Sequence, residues 1–289
     1  MNTSKNTDKL SQNLQSTDTI PTIPEVICSL TALLENPRTS AEEIGRAIKS
    51  DQALASKVLK LVNSAFYGFP GRIGSITHAV VILGFSTVKN VILTASILQN
   101  FRTITNSSQE FDAEQFWLHS VACGVAAKCI ARHQGHSNCD DFFTAGLIHD
   151  IGKIIFFHYM QEEFWETIKY ARQKDALFFD CEKQLFSITH QEIGGELARR
   201  WNLPLHLKDA ISYHHTPSVT RHGYDITAVV HLADIFVRAL SLGNGGDTKI
   251  PVINEDVWRY LGFERISLIT LFENIEKEVI KANVFLQLS

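Results

Sequence analysis

Seven imidazole and carboxylate side chains carry the chemistry open to this chain: His119, His149, Asp150, His190, His214, His215 and Asp234. The adjacent pair His149-Asp150 lies in an apolar segment, Gly146-Leu147-Ile148-His149-Asp150-Ile151-Gly152-Lys153. An unpaired carboxylate in a nonpolar interior costs several kcal/mol or takes up a proton. A bound cation removes that penalty, and imidazole with carboxylate suits a transition metal. Asp234 poses the same problem in Val229-Val230-His231-Leu232-Ala233-Asp234-Ile235-Phe236-Val237, a strongly apolar helical run. His231, three residues earlier on that face, reads first as a partner of a ligand, with a ligand role as the alternative.

Taken singly, each residue has an ordinary explanation. His119 in Phe116-Trp117-Leu118-His119-Ser120 fits a core-edge histidine bonded to a carbonyl. His190 follows Thr189, and Thr189-x-x-Glu192 forms a capping box, so a solvated imidazole at a helix start would suffice. His214-His215 closes a helix, where the dipole favours such residues. Together they form an ordered set, each on a separate helix or helix end, and that set points to a metal.

The elements that must position them are helices. Apolar residues recur at helical intervals, with helices expected at roughly 112–134, 141–157, 160–175, 178–187, 190–201, 204–214, 224–242, 254–262 and 265–286. Upstream, Ile20-Pro21-Thr22-Ile23-Pro24 opens a helix through Leu33 or Leu34. Thr39-x-x-Glu42 or Ser40-x-x-Glu43 caps the next, which breaks near Asp51. Ser75 opens a helix through Leu83, and Phe85 to Leu98 forms another. The expected fold is all-α, with an N-terminal helical subdomain over 19–105 and a larger helical one over 106–289. Residues 1–18 read as a mobile tail, Thr103 to Gln109 as a link, and Gly243-Asn244-Gly245-Gly246-Asp247 as a flexible loop. The C-terminal amphipathic helix, with Leu271 and Ile275, is expected to pack on the core; a homodimer contact is the alternative.

Composition bounds the function classes. At 289 residues, 45% hydrophobic and 20% charged, the chain is an ordinary globular protein. A net charge of −4 without a basic block argues against nucleic acid as a partner. No run approaches the length of a membrane-spanning helix, so no membrane role is expected. Cys28, Cys123, Cys129, Cys139 and Cys181 are scattered and odd in number, which suits the reducing cytoplasm. Cys123 and Cys129 fall on different faces of one helix, poorly placed to share a metal, and read as buried small hydrophobes.

The ordered set resembles the HD superfamily of metal-dependent phosphohydrolases, whose pattern of a His, a His-Asp doublet and a distal Asp falls on His119, His149, Asp150 and Asp234. The extra histidines His190, His214 and His215 resemble those that help hold a second metal in the HD-GYP branch. The N-terminal segments Ile20-Pro21-Thr22-Ile23-Pro24, Ile48-Lys49-Ser50-Asp51, Asn63-Ser64-Ala65-Phe66-Tyr67-Gly68 and Ala79-Val80-Val81-Ile82-Leu83-Gly84 look like the HDOD family (HD-related output domain), as does Arg199-Arg200-Trp201-Asn202-Leu203-Pro204. This resemblance spans about residues 20 to 240, with Gln52 where the family usually has proline. The HD-GYP signature is missing: His214-His215 is followed by Thr216-Pro217, and His222-Gly223-Tyr224-Asp225 is a chance echo. Cyclic-di-GMP hydrolysis is therefore not expected.

The resemblance implies a divalent metal (Fe, Mn, Zn or Ni) at His119, His149, Asp150 and Asp234. The seven candidates hold only two carboxylates, enough to balance one such ion. His190, His214 and His215 would then form a weak or empty second site. Two readings follow. In the favoured one, the chain is a signalling module that acts through protein partners. In the other, it hydrolyses a nucleotide or other phosphoester, with Asp150 and Lys153 catalytic and Lys153 holding a phosphate oxygen; alternatively Lys153 is a solvated surface lysine.

Overall fold

The computed structural model describes residue 33 and residues 38–49, 51–105, 112–220, 222–263 and 265–288. The expected tail, the Ile20–Pro24 motif, Cys28 and most of the 103–109 link lie outside the described residues, as does Ser50. Among the described residues every regular element is helical. In order they are α1 (Ala41–Lys49), α2 (Gln52–Val62), α3 (Ile76–Thr105), α4 (Ala113–His133), α5 (Cys139–Ile148), α6 (Ile151–Tyr159) and α7 (Gln161–Lys174). They continue with α8 (Phe178–Phe186), α9 (His190–Arg200), α10 (Leu205–Tyr213), a 3-10 turn at Pro217–Val219, α11 (Tyr224–Ala239), α12 (Glu255–Leu261), α13 (Arg265–Lys281) and α14 (Asn283–Leu286).

Local chemistry sets the ends. Ser40, not Thr39, makes the first capping box, its Oγ accepting from Glu43 N while Glu43 Oε2 accepts from Ser40 N at 2.7 Å. Asp51 caps α2 by accepting from Leu54 N, which makes Gln52 the first helical residue, where a family proline would also fit. Gly84 (φ 83°, ψ 164°) kinks α3, so the two helices expected on either side of it meet there. The stretch Ile76–Gln99 is long and apolar enough to cross a membrane by length and composition. That corrects the expectation that no run reaches this length; 56% of its most apolar window is buried inside the protein.

Helices α4, α5 and α11 form the centre. Glycines let them approach closely: a Cβ on Gly146 would lie 2.6 Å from Cys123 O, and one on Gly124 would lie 2.8 Å from Phe143 O. Packed alongside, α6 and α9 meet at Gly152, where a Cβ would fall 1.9 Å from His190 O. The C-terminal α13 lies on α4 through buried Leu271 and Ile275, while Ile269 and Ile280 face outward.

A short motif helps to join the N-terminal helices to this centre. Asn63 Nδ2 donates to Leu59 O and Ile73 O, and its Oδ1 accepts from Ile73 N, each at 2.8 Å. Asn63 thus ties the end of α2 to the approach to α3, with Gly68 turning the chain at φ 64°. Phe66, two residues into that bend, packs against Phe143 of α5 and Phe285 of α14 at ring distances of 5.0 and 5.1 Å. Polar ties reinforce the join: Thr87 Oγ1 donates to Asp140 Oδ2 and Asn90 Nδ2 to Asp141 Oδ1, both at 2.7 Å. Asn63→Ala should therefore cost ~2–3 kcal/mol, because it strands part-buried partners. Thermal or urea denaturation would check this, with Asn63→Asp losing less because it keeps the acceptor for Ile73 N.

Candidate metal centre

The expected helix over 141–157 breaks at the doublet. α5 ends at Ile148, Asp150 leaves helical geometry (φ −96°, ψ 13°), and α6 starts at Ile151. The bend turns both side chains inward, where His149 is 0% and Asp150 1% exposed. His149 Nδ1 donates to Gly146 O at 2.7 Å, which leaves Nε2 as a bare acceptor, buried and without a hydrogen-bond partner.

Two more imidazoles are set the same way. His190 Nδ1 lies 2.6 Å from Glu182 Oε2, and His214 Nδ1 faces the carbonyls of Ala210 and Ile211 at 3.2 and 3.1 Å. Their Nε2 atoms then point at each other across 3.3 Å and at Asp150 Oδ1 from 3.2 and 3.5 Å. Asp150 Oδ1 is itself buried without a hydrogen bond. Acceptors crowded together in this way repel one another unless a cation or a proton lies among them. His215 Nε2, close by, is likewise buried and unpartnered.

On the other side of Asp150, α4 supplies His119 and, one turn later, Cys123, while α11 supplies Asp234. His119 Nε2 lies 3.2 Å from Asp234 Oδ1 and 3.8 Å from Asp150 Oδ2. His149 Nε2 is 3.3 Å from Asp150 Oδ2 and 3.9 Å from Asp234 Oδ1. All seven expected residues therefore converge, but not in the expected grouping. His119, Cys123, His149 and Asp234 form one set of ligand atoms, all within 4.8 Å of one another, and Asp150, His190, His214 and His215 form the other. Asp150 sits between them, with Oδ2 toward the first set and Oδ1 toward the second. The donors and the unpartnered buried atoms fit a divalent ion.

Four charged groups at the centre are not apparent from the ligand pattern. Glu182, 0% exposed, accepts from His190 N at 3.0 Å as well as holding its Nδ1. Asp247 accepts from Arg238 Nη1 at 2.7 Å and from Phe178 N. Arg238, one turn after Asp234, donates Nε to its Oδ1 at 2.8 Å. Lys153 is 1% exposed and donates to Asp150 Oδ2 at 2.7 Å and Gly245 O at 2.8 Å, so it is not a solvated surface lysine. The two-carboxylate count is thereby corrected: Asp150, Asp234, Asp247 and Glu182 against Lys153 and Arg238 leave two negative charges, which one divalent ion balances. Glu182 could have been suspected from its place in a helix just ahead of His190, and Arg238 from its one-turn spacing to Asp234.

The glycine-rich segment is a packed cover, not a free loop. Gly243 (φ 78°) lies so close to α4 that a Cβ there would meet His119 N at 2.2 Å. A Cβ on Gly245 would meet His119 Nε2 at 3.0 Å and Asp150 Oδ2 at 3.3 Å. Asn244 N donates to Gln115 O, and Asp247 anchors the far end through Arg238. His231 has both nitrogens engaged, Nδ1 donating to His214 O at 2.7 Å and Nε2 accepting from Asn254 N, so it positions the His214 segment and is no ligand. His222-Gly223-Tyr224 merely starts α11.

Electrostatics follow from burial and neighbours. Burial alone would raise the Asp150 carboxyl, but His149 and Lys153 together outweigh it and hold the group well below the usual range. For Asp234, Arg238 and His119 overcome burial in the same way. Burial works against a proton on His190, yet Glu182 prevails and raises it. Burial pushes His214 down to about 3 and His215 well below its ordinary value.

Glu182→Ala should destabilise the fold by ~3–5 kcal/mol, because it strands two buried donors of His190. Glu182→Gln, which keeps an acceptor for one of them, should lose less; chemical denaturation separates the two. Acid provides a second check. Unfolded histidine titrates near ~6.5, while His214 stays neutral to about 3 when folded. The unfolded state thus binds the extra proton, so stability is full above that unfolded value and falls progressively below it. Metal-stripped protein should melt at a lower temperature near ~pH 5 than near ~pH 7.5, as calorimetry would record.

Comparison with known proteins agrees with this architecture. A crystal structure of an HDOD domain protein of unknown function from Geobacter sulfurreducens superposes with a TM-score of 0.79 at 26% identity, covering 97% of this chain and 98% of that one. A protein from Shewanella amazonensis SB2B, provisionally named a phosphohydrolase, has the same fold at TM-score 0.74 and 21% identity, over 97% of this chain and 98% of its own. An uncharacterized protein of Treponema pallidum (strain Nichols) is 27% identical over 228 residues, 77% of this chain but only 43% of the relative. The chain thus spans less than half the length of that curated relative. The HDOD domain family matches residues 20–217. With its all-helical fold and this match over most of its length, the chain belongs to the HDOD family.

Proposed function

We propose that this chain is a signal-transduction module in which one divalent ion stabilises the HD-like core and protein partners receive the output. The observation that carries this reading is the closure of the centre. His119, His149, Asp150, Asp234, His190 and His214 are each at most 2% exposed, and the Gly245 backbone lies against His119 and Asp150. A phosphohydrolase must admit water and a phosphate oxygen beside its metal. Here that approach is taken by Gly245, and Lys153, the lysine placed at the centre, is engaged with Asp150 and Gly245 O.

The second reading, hydrolysis of a nucleotide or other phosphoester, draws support from the complete ligand set. In it a bound ion would act as Lewis acid, Asp150 would face both ligand sets, and Lys153 would exchange Gly245 O for a phosphate oxygen. Cytoplasmic residence is part of the proposal, supported by free Cys123, Cys129, Cys139 and Cys181.

Metal analysis of protein purified without added metal, combined with a phosphoester panel, tests the choice. The module reading expects about one ion per chain surviving dialysis, a lower melting temperature on chelation, and no turnover. Two stoichiometric ions would sink the single-ion centre. Metal-dependent turnover abolished by Asp150→Ala would establish the enzyme instead.

A further inference from the structure

We infer that Cys123 is a fourth ligand, making the first set a closed two-histidine, one-aspartate, one-thiolate site for a borderline-soft ion such as zinc. This rests on the reading that the core holds a metal, and it adds a ligand absent from the His, His-Asp, Asp pattern. Cys123 follows His119 by one helical turn, so both project from the same face of α4. Cys123 is 0% exposed, and its Sγ lies 3.6 Å from His119 Nε2. Tetrahedral zinc with bonds of ~2.3 Å to sulfur and ~2.05 Å to nitrogen places those two atoms ~3.6 Å apart. The 3.2 Å between His119 Nε2 and Asp234 Oδ1 is close to that geometry, and His149 Nε2, 3.9 Å from Asp234 Oδ1, needs to move in by ~0.5 Å to complete it. The backbone at Cys123 is fixed by the close α4–α5 crossing at Gly146.

Ligand number points the same way. Asp150 Oδ2 faces this set but is held by Lys153; the other donors without Cys123 are three, the count of an open catalytic zinc site, and with it four, the count of a closed structural one. The burial of every member suits the closed form. On binding, the thiol proton passes to solvent, as ligation by sulfur requires. A sulfur donor also selects against magnesium, which prefers oxygen ligands.

Cobalt(II) supplied to metal-stripped full-length protein as it refolds from denaturant tests this by absorption spectroscopy. The expected result is a tetrahedral visible band with a near-ultraviolet thiolate-to-cobalt charge-transfer band. Cys123→Ser should lose the charge-transfer band and weaken zinc binding by at least ~10-fold, while Cys129→Ser keeps both. Bound cobalt lacking the thiolate band in the wild type overturns the inference, however the variants fold. So does a band that survives in Cys123→Ser. Failure of the wild type to bind cobalt or zinc at all overturns the inference and the metal reading together.

Discussion

Everything in the larger part of this molecule answers to one electrostatic constraint: buried acceptors face one another. The outer nitrogens of His149, His190 and His214 are bound to carbonyls or to Glu182, which turns their inner nitrogens into lone pairs aimed at Asp150. In a low-dielectric interior such an arrangement is tolerable only with positive charge close by. Lys153 and Arg238 supply part of it and are drawn far from solvent to do so. The remaining imbalance is that of a single divalent ion. The break between α5 and α6, the glycine contacts and the second layer of Glu182 and Asp247 make geometric sense as the means of holding this charge pattern together.

Much of this was legible in the sequence because it rests on local rules. Helical periodicity placed most helices to within a few residues, and the capping boxes at Ser40 and Thr189 marked two starts. The ligand candidates stood out because a carboxylate in an apolar run demands an explanation. What stayed hidden depends on distance through space rather than along the chain. Asp247 lies in what reads as a solvated glycine loop, and only the tertiary fold brings it to Arg238 and Phe178. Apolar periodicity runs straight through 141–157, so nothing local marks the bend at Asp150. For Lys153 the sequence leaves a phosphate-binding and a solvated place both open, and only the fold buries it under Gly245.

The N-terminal helices obey a different logic, with packing in place of charge. The Asn63–Gly68 segment, one of those that resemble the HDOD family, is a structural joint. Asn63 satisfies backbone groups on both sides of a bend, and Phe66 is thereby delivered to Phe143 and Phe285. Phe143 lies on α5, the helix that leads into His149-Asp150, so the N-terminal helices and the charged centre share one element. A change at either end has a short mechanical path to the other.

The cover made by Gly243 to Asp247 also bears on time. It is pinned at one end by Gln115 O and at the other by Arg238, and its glycines leave no space for a side chain above His119. An ion beneath it would exchange no faster than that cover lifts, and lifting it breaks a buried ion pair. Loading would then belong to the folding of the chain rather than to its working life, and the metal content of the folded protein would record the ions present when it was made.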